Sequence, residues 1–220
     1  MPESGDGLDE LVTVMDRLRS PGGCPWDARQ THRSLAEYLL EEAYETVEAI
    51  ESGDRDDLRE ELGDLLLQVV FHARIAQEDP DDPWDIDDVA RGIVAKLVRR
   101  HPHVFVEGAD TVTTADDVQS QWHVLKAQEK GRDSVTEGIP EALPALLRAS
   151  KILARSGHLD VSLPEADLSL DSGDIPSEDA YGDLLLLLVA QGRERGWDAE
   201  AALREAVRRQ VARIRAAEGS

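Results

Sequence analysis

Two apolar-periodic segments joined by only three residues constrain this chain most. From about Ser34 to Glu51, Leu35, Leu39, Ala43, Val47 and Ile50 recur at helical spacing. From about Arg55 to Gln77 a second segment is apolar nearly all round after Leu62. Such patterns predict two α-helices, the second buried in the middle of a bundle. Ser52-Gly53-Asp54 between them supplies a stop and an N-cap, so the helices must run antiparallel as a hairpin.

Further helices are predicted over about Leu8 to Arg19, over a stretch ending at Arg99-Arg100, and over Ala115 to Glu129. Three more are predicted over Glu141 to Arg155, Asp179 to Arg195 and Ala199 to Ala217. Sustained period-two alternation is missing throughout, so the fold class is all-α, a helical bundle. Scarce aromatics, 4% of the 220 residues, fit that class better than a β-sandwich. Residues 157–178 are rich in Asp, Ser, Pro and Gly and read as an acidic linker. The expected organisation is a catalytic domain over 1–156, this linker, and a smaller unit over 179–220.

The hairpin carries a set of carboxylates. Residues three or four apart share a helix face, so Glu42 and Glu45 are neighbours, as are Glu41 and Glu45, and Glu61 and Asp64. Counted outward from the turn, Glu45 and Glu61 stand at comparable heights, and four or five carboxylates can converge. Asp64 sits between Leu62-Gly63 and Leu65-Leu66-Leu67, which places it at least partly out of water. Several half-buried carboxylates raise one another's pKa, and a hard cation removes that repulsion. All-oxygen ligands select Mg2+, with Mn2+ as an alternative, over zinc. A di-iron bundle would need Glu-x-x-His pairs, which do not occur here, and neither a Walker loop nor a dinucleotide fingerprint is present.

A formal charge of −22 speaks against a nucleic-acid partner. It leaves room for a small phosphorylated substrate, because a bound cation inverts the local field. One cysteine, Cys24, fits a reducing compartment and a structural thiol. Neither a signal-peptide pattern nor a membrane-length apolar run occurs, so the expected location is cytoplasmic, with no membrane partner.

Cys24-Pro25-Trp26-Asp27, Glu41-Glu42-x-x-Glu45 with Glu61-x-x-Asp64, Arg99-Arg100-His101-Pro102-His103-Val104-Phe105 and Trp122-x-x-x-Lys126 occur in this order. Together they resemble the MazG nucleoside triphosphate pyrophosphohydrolases, over roughly residues 8–155. The resemblance implies an all-α homodimer that cleaves nucleoside triphosphates between the α and β phosphates, giving a monophosphate and pyrophosphate, with nucleotide pool cleansing as a role. Carried over by position, it implies Glu42, Glu45, Glu61 and Asp64 as magnesium ligands. It gives Glu41 a supporting catalytic role beside Glu45. It sends Lys96 and Arg100 to the phosphates, and sets Trp122 and Lys126 beside the nucleotide. A dUTPase-like phosphohydrolase of the same fold and a non-catalytic acidic interaction module are the alternatives.

Long members of that family carry two copies of the domain. Gly182-Asp183-Leu184-Leu185-Leu186 echoes Gly63-Asp64-Leu65-Leu66-Leu67, down to Arg193 and Arg74. Ala180 stands where the second copy needs its first acid, and the linker occupies the place of a Glu-Glu-x-x-Glu helix. Residues 179–220 therefore read as a degenerate repeat.

Overall fold

A computed structural model describes residues 7–106, 114, 134–164, 175 and 177–218. Every regular element among these residues is helical, and none is a strand. By compactness the chain divides into Met1–Gln119 and Ser120–Ser220.

In the first unit, α1 spans Gly7–Arg19, a 3-10 turn spans Asp27–Arg29, and α2 spans Ala36–Ser52. Then come α3 at Arg55–Ala76, α4 at Ile86–Arg100 and the single turn α5 at Pro102–Phe105. Gly53 ends α2 in the left-handed conformation, φ +78°, where a side chain would be strained. Asp54 then opens α3, its carboxylate accepting from the backbone N–H groups of Asp56 and Asp57. Asp85 and Asp88 form a reciprocal capping box at the start of α4. These local signals set the helix ends close to their predicted positions.

The core forms where α1, α3 and the residue before α2 meet. Met15, Leu35, Val70 and Phe71 are buried together, with Leu11, Leu18, Leu67, Ile75 and Ile86 packed around them. Each such side chain contributes about 1.5–3 kcal/mol by leaving water. Gly23 permits the tight exit from α1: a Cβ there would collide with the carbonyls of Arg17 and Leu18. The chain then doubles back, Cys24 donating its N–H to Leu18.

α3 departs from the expectation of burial all round. Val70, Phe71, Ala73 and Ala76 are buried, but Leu62, Leu66 and Val69 are exposed. The buried residues all lie in the second half of the helix, from Gln68 onward, where it joins the core. Leu62, Leu66 and Val69 recur at spacings of four and three on a stripe that continues into the buried Ala73 and Ala76, so the face is uncovered toward the start of α3 and covered toward its end. Leu40 and Tyr44 on α2 are exposed likewise.

The second unit contains α6 at Ala145–Ser156, α7 at Glu178–Glu194 and α8 at Ala199–Glu218, each packed against the other two. Ser177 caps α7 through the Ala180 N–H. By compactness α6 therefore falls on the far side of a division at 119/120, ahead of the boundary at 156 expected from composition. The linker composition marks a break in polarity, whereas α6 is placed by the apolar face it turns to α7 and α8. The helix expected over Ala115–Glu129, with Trp122 and Lys126, lies outside the described residues.

Candidate metal centre

α2 and α3 form the most extensive helix pair of the first unit, and their midsection carries the acidic side chains. Thr46, buried on α2, donates its hydroxyl to the Glu42 carbonyl at 2.8 Å and lies 3.4 Å from the Glu61 carbonyl on α3. This small side chain lets the helices approach at the level of the carboxylates. Glu42, Glu45 and Glu61 each offer an oxygen within 4.8 Å of the others'. Opposite ligands of a magnesium ion at about 2.1 Å span roughly 4.2 Å, so a small inward shift of these side chains suffices to enclose one.

Asp64 falls outside that trio but stands beside it, half-buried. Its charge is the strongest neighbouring influence on Glu42 and the second on Glu61. Burial pushes the Glu42 carboxyl above its ordinary value, and Asp64, Glu45, Glu61 and Glu41 push it further in that order. Glu61 is raised in the same way, by desolvation first and then by Glu45 and Asp64. Both shifts have one meaning: adding negative charge here costs free energy, and a divalent cation would relieve it. The donors are oxygen only, which suits a hard ion. Glu41 is exposed and touches the group only through its charge.

Of the two cationic residues expected at the phosphates, Lys96 is exposed and Arg100 is buried, four residues apart on the last turns of α4. Among the described residues, the acidic cluster is built by α2 and α3.

Several residues that shape this unit escaped the sequence reading. Arg19 is buried and holds Glu78 through two bonds, Nε to Oε1 at 3.0 Å and Nη2 to Oε2 at 2.7 Å. It also donates to the carbonyls of Asp27 and Gln30 and lies over the Phe71 ring. The loop leading to α2 is thereby tied to the end of α3. Trp26 packs edge-on to Tyr38 and Phe71. His32 and His72 meet at 2.8 Å although forty residues apart. Neither Arg19 nor the histidines stand in a spacing pattern, so only the fold exposes their roles.

Known proteins give the following matches. A family model described as the MazG nucleotide pyrophosphohydrolase domain matches residues 30–105, a span holding α2 through α5 and both acidic motifs. A Thermotoga maritima protein named nucleoside triphosphate pyrophosphohydrolase/pyrophosphatase MazG is 40% identical over 231 residues, covering 98% of this chain and 87% of its own length. The Escherichia coli nucleoside triphosphate pyrophosphohydrolase is 39% identical over 241 residues, covering 96% and 89%. An uncharacterized 26.1 kDa protein of Streptomyces cacaoi is 50% identical over 217 residues, covering 98% and 84%.

Proposed function

This chain belongs to the MazG family of nucleoside triphosphate pyrophosphohydrolases, and on that premise we propose magnesium-dependent cleavage of nucleoside triphosphates between the α and β phosphates. The observation that carries this reading is the convergence of Glu42, Glu45 and Glu61 across two helices. With Asp64 beside them, they are the residues that would hold magnesium, with manganese as a substitute.

The ion, when bound, offsets the repulsion between carboxylates and polyphosphate and acidifies a water. The protein supplies the rest. Glu41, at the solvent edge of the cluster, orients or deprotonates the attacking water. Lys96 and Arg100, with Lys126, stabilise charge developing on the leaving pyrophosphate, while Trp122 flanks the nucleotide. Nucleotide pool cleansing is the role proposed for this activity.

The exposed apolar side chains Leu40 and Tyr44 on α2 and Leu62, Leu66 and Val69 on α3 support pairing with a second copy. Residues 1–156 are proposed as the catalytic domain, its last helix α6 packing, across a linker at 157–178, on a degenerate repeat at 179–220. Among the described residues, no helix is long and apolar enough to cross a membrane.

The test is to incubate purified protein with each nucleoside triphosphate and magnesium and to follow pyrophosphate release. Pyrophosphate with a monophosphate is expected. Orthophosphate as the direct product would overturn the α–β assignment, and a panel of bases and sugars would separate a narrow dUTPase-like choice.

A further inference from the structure

The α2–α3 hairpin is closed at one end by the Gly53 turn and open at the other. Glu61, Asp64, Gln68 and His72 recur at spacings of three and four and share one stripe of α3. His72 stands two turns beyond Asp64, about 12 Å along the helix. There its Nδ1 lies 2.8 Å from the Nδ1 of His32. The two ring planes are 1° apart with centroids separated by 5.1 Å. At those values the rings touch edge to edge in a common plane, so the contact is an N–H···N hydrogen bond and not a face-on stack. Trp84 lies along His32, with centroids 6.4 Å apart and planes 18° apart. His32 precedes α2 by four residues, whereas His72 belongs to α3. One hydrogen bond thus joins the entry of one acidic helix to the later half of the other.

That bond needs one proton between two nitrogens. His32 is exposed, while the Nε2 of His72 is buried without a partner. Which ring donates depends on the tautomer, and the bond holds as long as one of the two Nδ1 atoms keeps its lone pair. A proton on both Nδ1 atoms leaves no acceptor between the rings. It sets N–H against N–H and ends the bond.

Burial first, then the charge of His32, holds the basicity of His72 below the ordinary value. Its macroscopic titration belongs to the pair. The charged groups around them are Arg19, Arg29, Glu78 and Asp79, which line the cleft beside His32, and Arg74 on α3. Arg19 and Arg74 are both paired with Glu78, and Asp79 accepts from the N–H groups of Asp81 and Asp82.

We propose that His32 and His72 are positioning residues for the hydrolysis: their shared proton fixes the open end of the hairpin, and so the approach of Glu42 and Glu45 to Glu61. The role rests on the proposed magnesium site. Arg19, through the Asp27 and Gln30 carbonyls, and Leu35, in the core, keep the segment folded when the pair opens. Loss of the bond therefore changes the geometry of the site and leaves the fold in place.

Nitrogen-15 NMR of the full chain, without metal or nucleotide, tests the bond itself. A nitrogen–nitrogen coupling between His32 and His72 is expected at neutral pH, and is expected to vanish in acid and in His72→Ala. The pH profile of pyrophosphate release at saturating magnesium tests the role. His72→Ala should lower kcat about tenfold at neutral pH, less than the roughly hundredfold cost of an ångström's misplacement at the reacting atoms. His72→Asn places an amide where Nδ1 lies and cannot titrate. It should restore kcat and remove one acid step from the profile. That step should not move with magnesium concentration, unlike one caused by carboxylates competing for the ion. Absence of the coupling at neutral pH, or identical profiles for His72→Asn and wild type, overturns the proposal. If the coupling is present but the wild type releases no pyrophosphate, the functional reading fails, and the positioning role with it, while the hydrogen bond stands.

Discussion

Two helices of this molecule contain the same run of five residues and do different things with it. Gly63-Asp64-Leu65-Leu66-Leu67 lies in α3, and Gly182-Asp183-Leu184-Leu185-Leu186 lies in α7. Six residues past each aspartate comes a buried valine, Val70 and Val189, each 2% exposed. Ten residues past each comes an arginine that ties its helix to an earlier one. Arg74 Nε reaches Asp16 on α1 at 2.8 Å, and Arg193 Nη1 reaches Ser150 on α6 at 3.2 Å. Packing is shared; chemistry is not. Across from Asp64, α2 presents Glu42 and Glu45. Among the described residues no equivalent pair faces α7: α6 has no acidic residue, and on α8 Glu200 and Glu205 are engaged by arginines. Ala180 also stands one turn before Asp183, where α3 has Glu61. An aspartate in a leucine-rich helix is therefore a packing motif until a second acidic helix faces it.

The most direct way to break this comparison is to remove the two aspartates separately. Asp64→Ala, like Glu45→Ala, should lower pyrophosphate release by more than the roughly 100-fold typical of losing a supporting outer-shell group. Asp183→Ala should leave it within about twofold. Similar losses from Asp64→Ala and Asp183→Ala would mean that the second unit contributes to catalysis.

Magnesium binding sharpens the same contrast without reference to turnover. At about 100 times its dissociation constant, an ion that binds only the folded state stabilises it by about 2.7 kcal/mol. Wild type and Asp183→Ala should gain this by calorimetry, and Asp64→Ala should gain little. A magnesium-dependent rise that survives Asp64→Ala would move the ion away from the α2–α3 cluster.

The unequal legibility of the two regions has physical causes. The approach of Glu42, Glu45 and Glu61 follows from helical spacing and a three-residue turn, both local properties. Thr46 could have been noticed on the same face, but nothing in its spacing distinguishes it from any small residue. Arg19 and Glu78 are fifty-nine residues apart, and His32 and His72 forty; such pairs exist only once the helices have packed. The exposed stripe on α3 departs from the expectation of burial for a related reason. Leu62, Leu66 and Val69 are as apolar as the buried residues beside them, and periodicity records apolar character without recording which neighbour covers it.

A smaller effect concerns how firmly the loop before α2 is anchored. The Glu78 carboxyl is held below its ordinary value of 4.5, first by the hydrogen bond from Arg19. When a folded pKa is depressed, the unfolded chain takes up the proton first as pH falls. The stabilisation is then complete above the ordinary value and is lost as pH drops through the folded one. Glu78 is 43% exposed at its side chain, so solvent screening limits the effect. Glu78→Gln should cost about 1 kcal/mol at pH 7 by urea denaturation, and the gap from wild type should close below pH 4. A gap independent of pH would mean that shape, and not charge, holds Arg19.

The smallest effect expected is at the second arginine. Arg193 makes one 3.2 Å bond to a serine hydroxyl, whereas Arg74 bonds two carboxylates, those of Asp16 and Glu78. Arg193→Ala should therefore destabilise α7 by only about 0.5–1.5 kcal/mol, the range for a single hydrogen bond. The readout is hydrogen exchange at α7 amides, because it follows that helix even when the two units unfold separately. Ser150→Ala should reproduce most of the loss, and the double variant should add little to either single change. If Arg193→Ala instead cost several kcal/mol while Ser150→Ala cost nothing, the guanidinium would be neutralising a charge in the second unit. The repeat would then retain an electrostatic role absent from the packing it shares with α3.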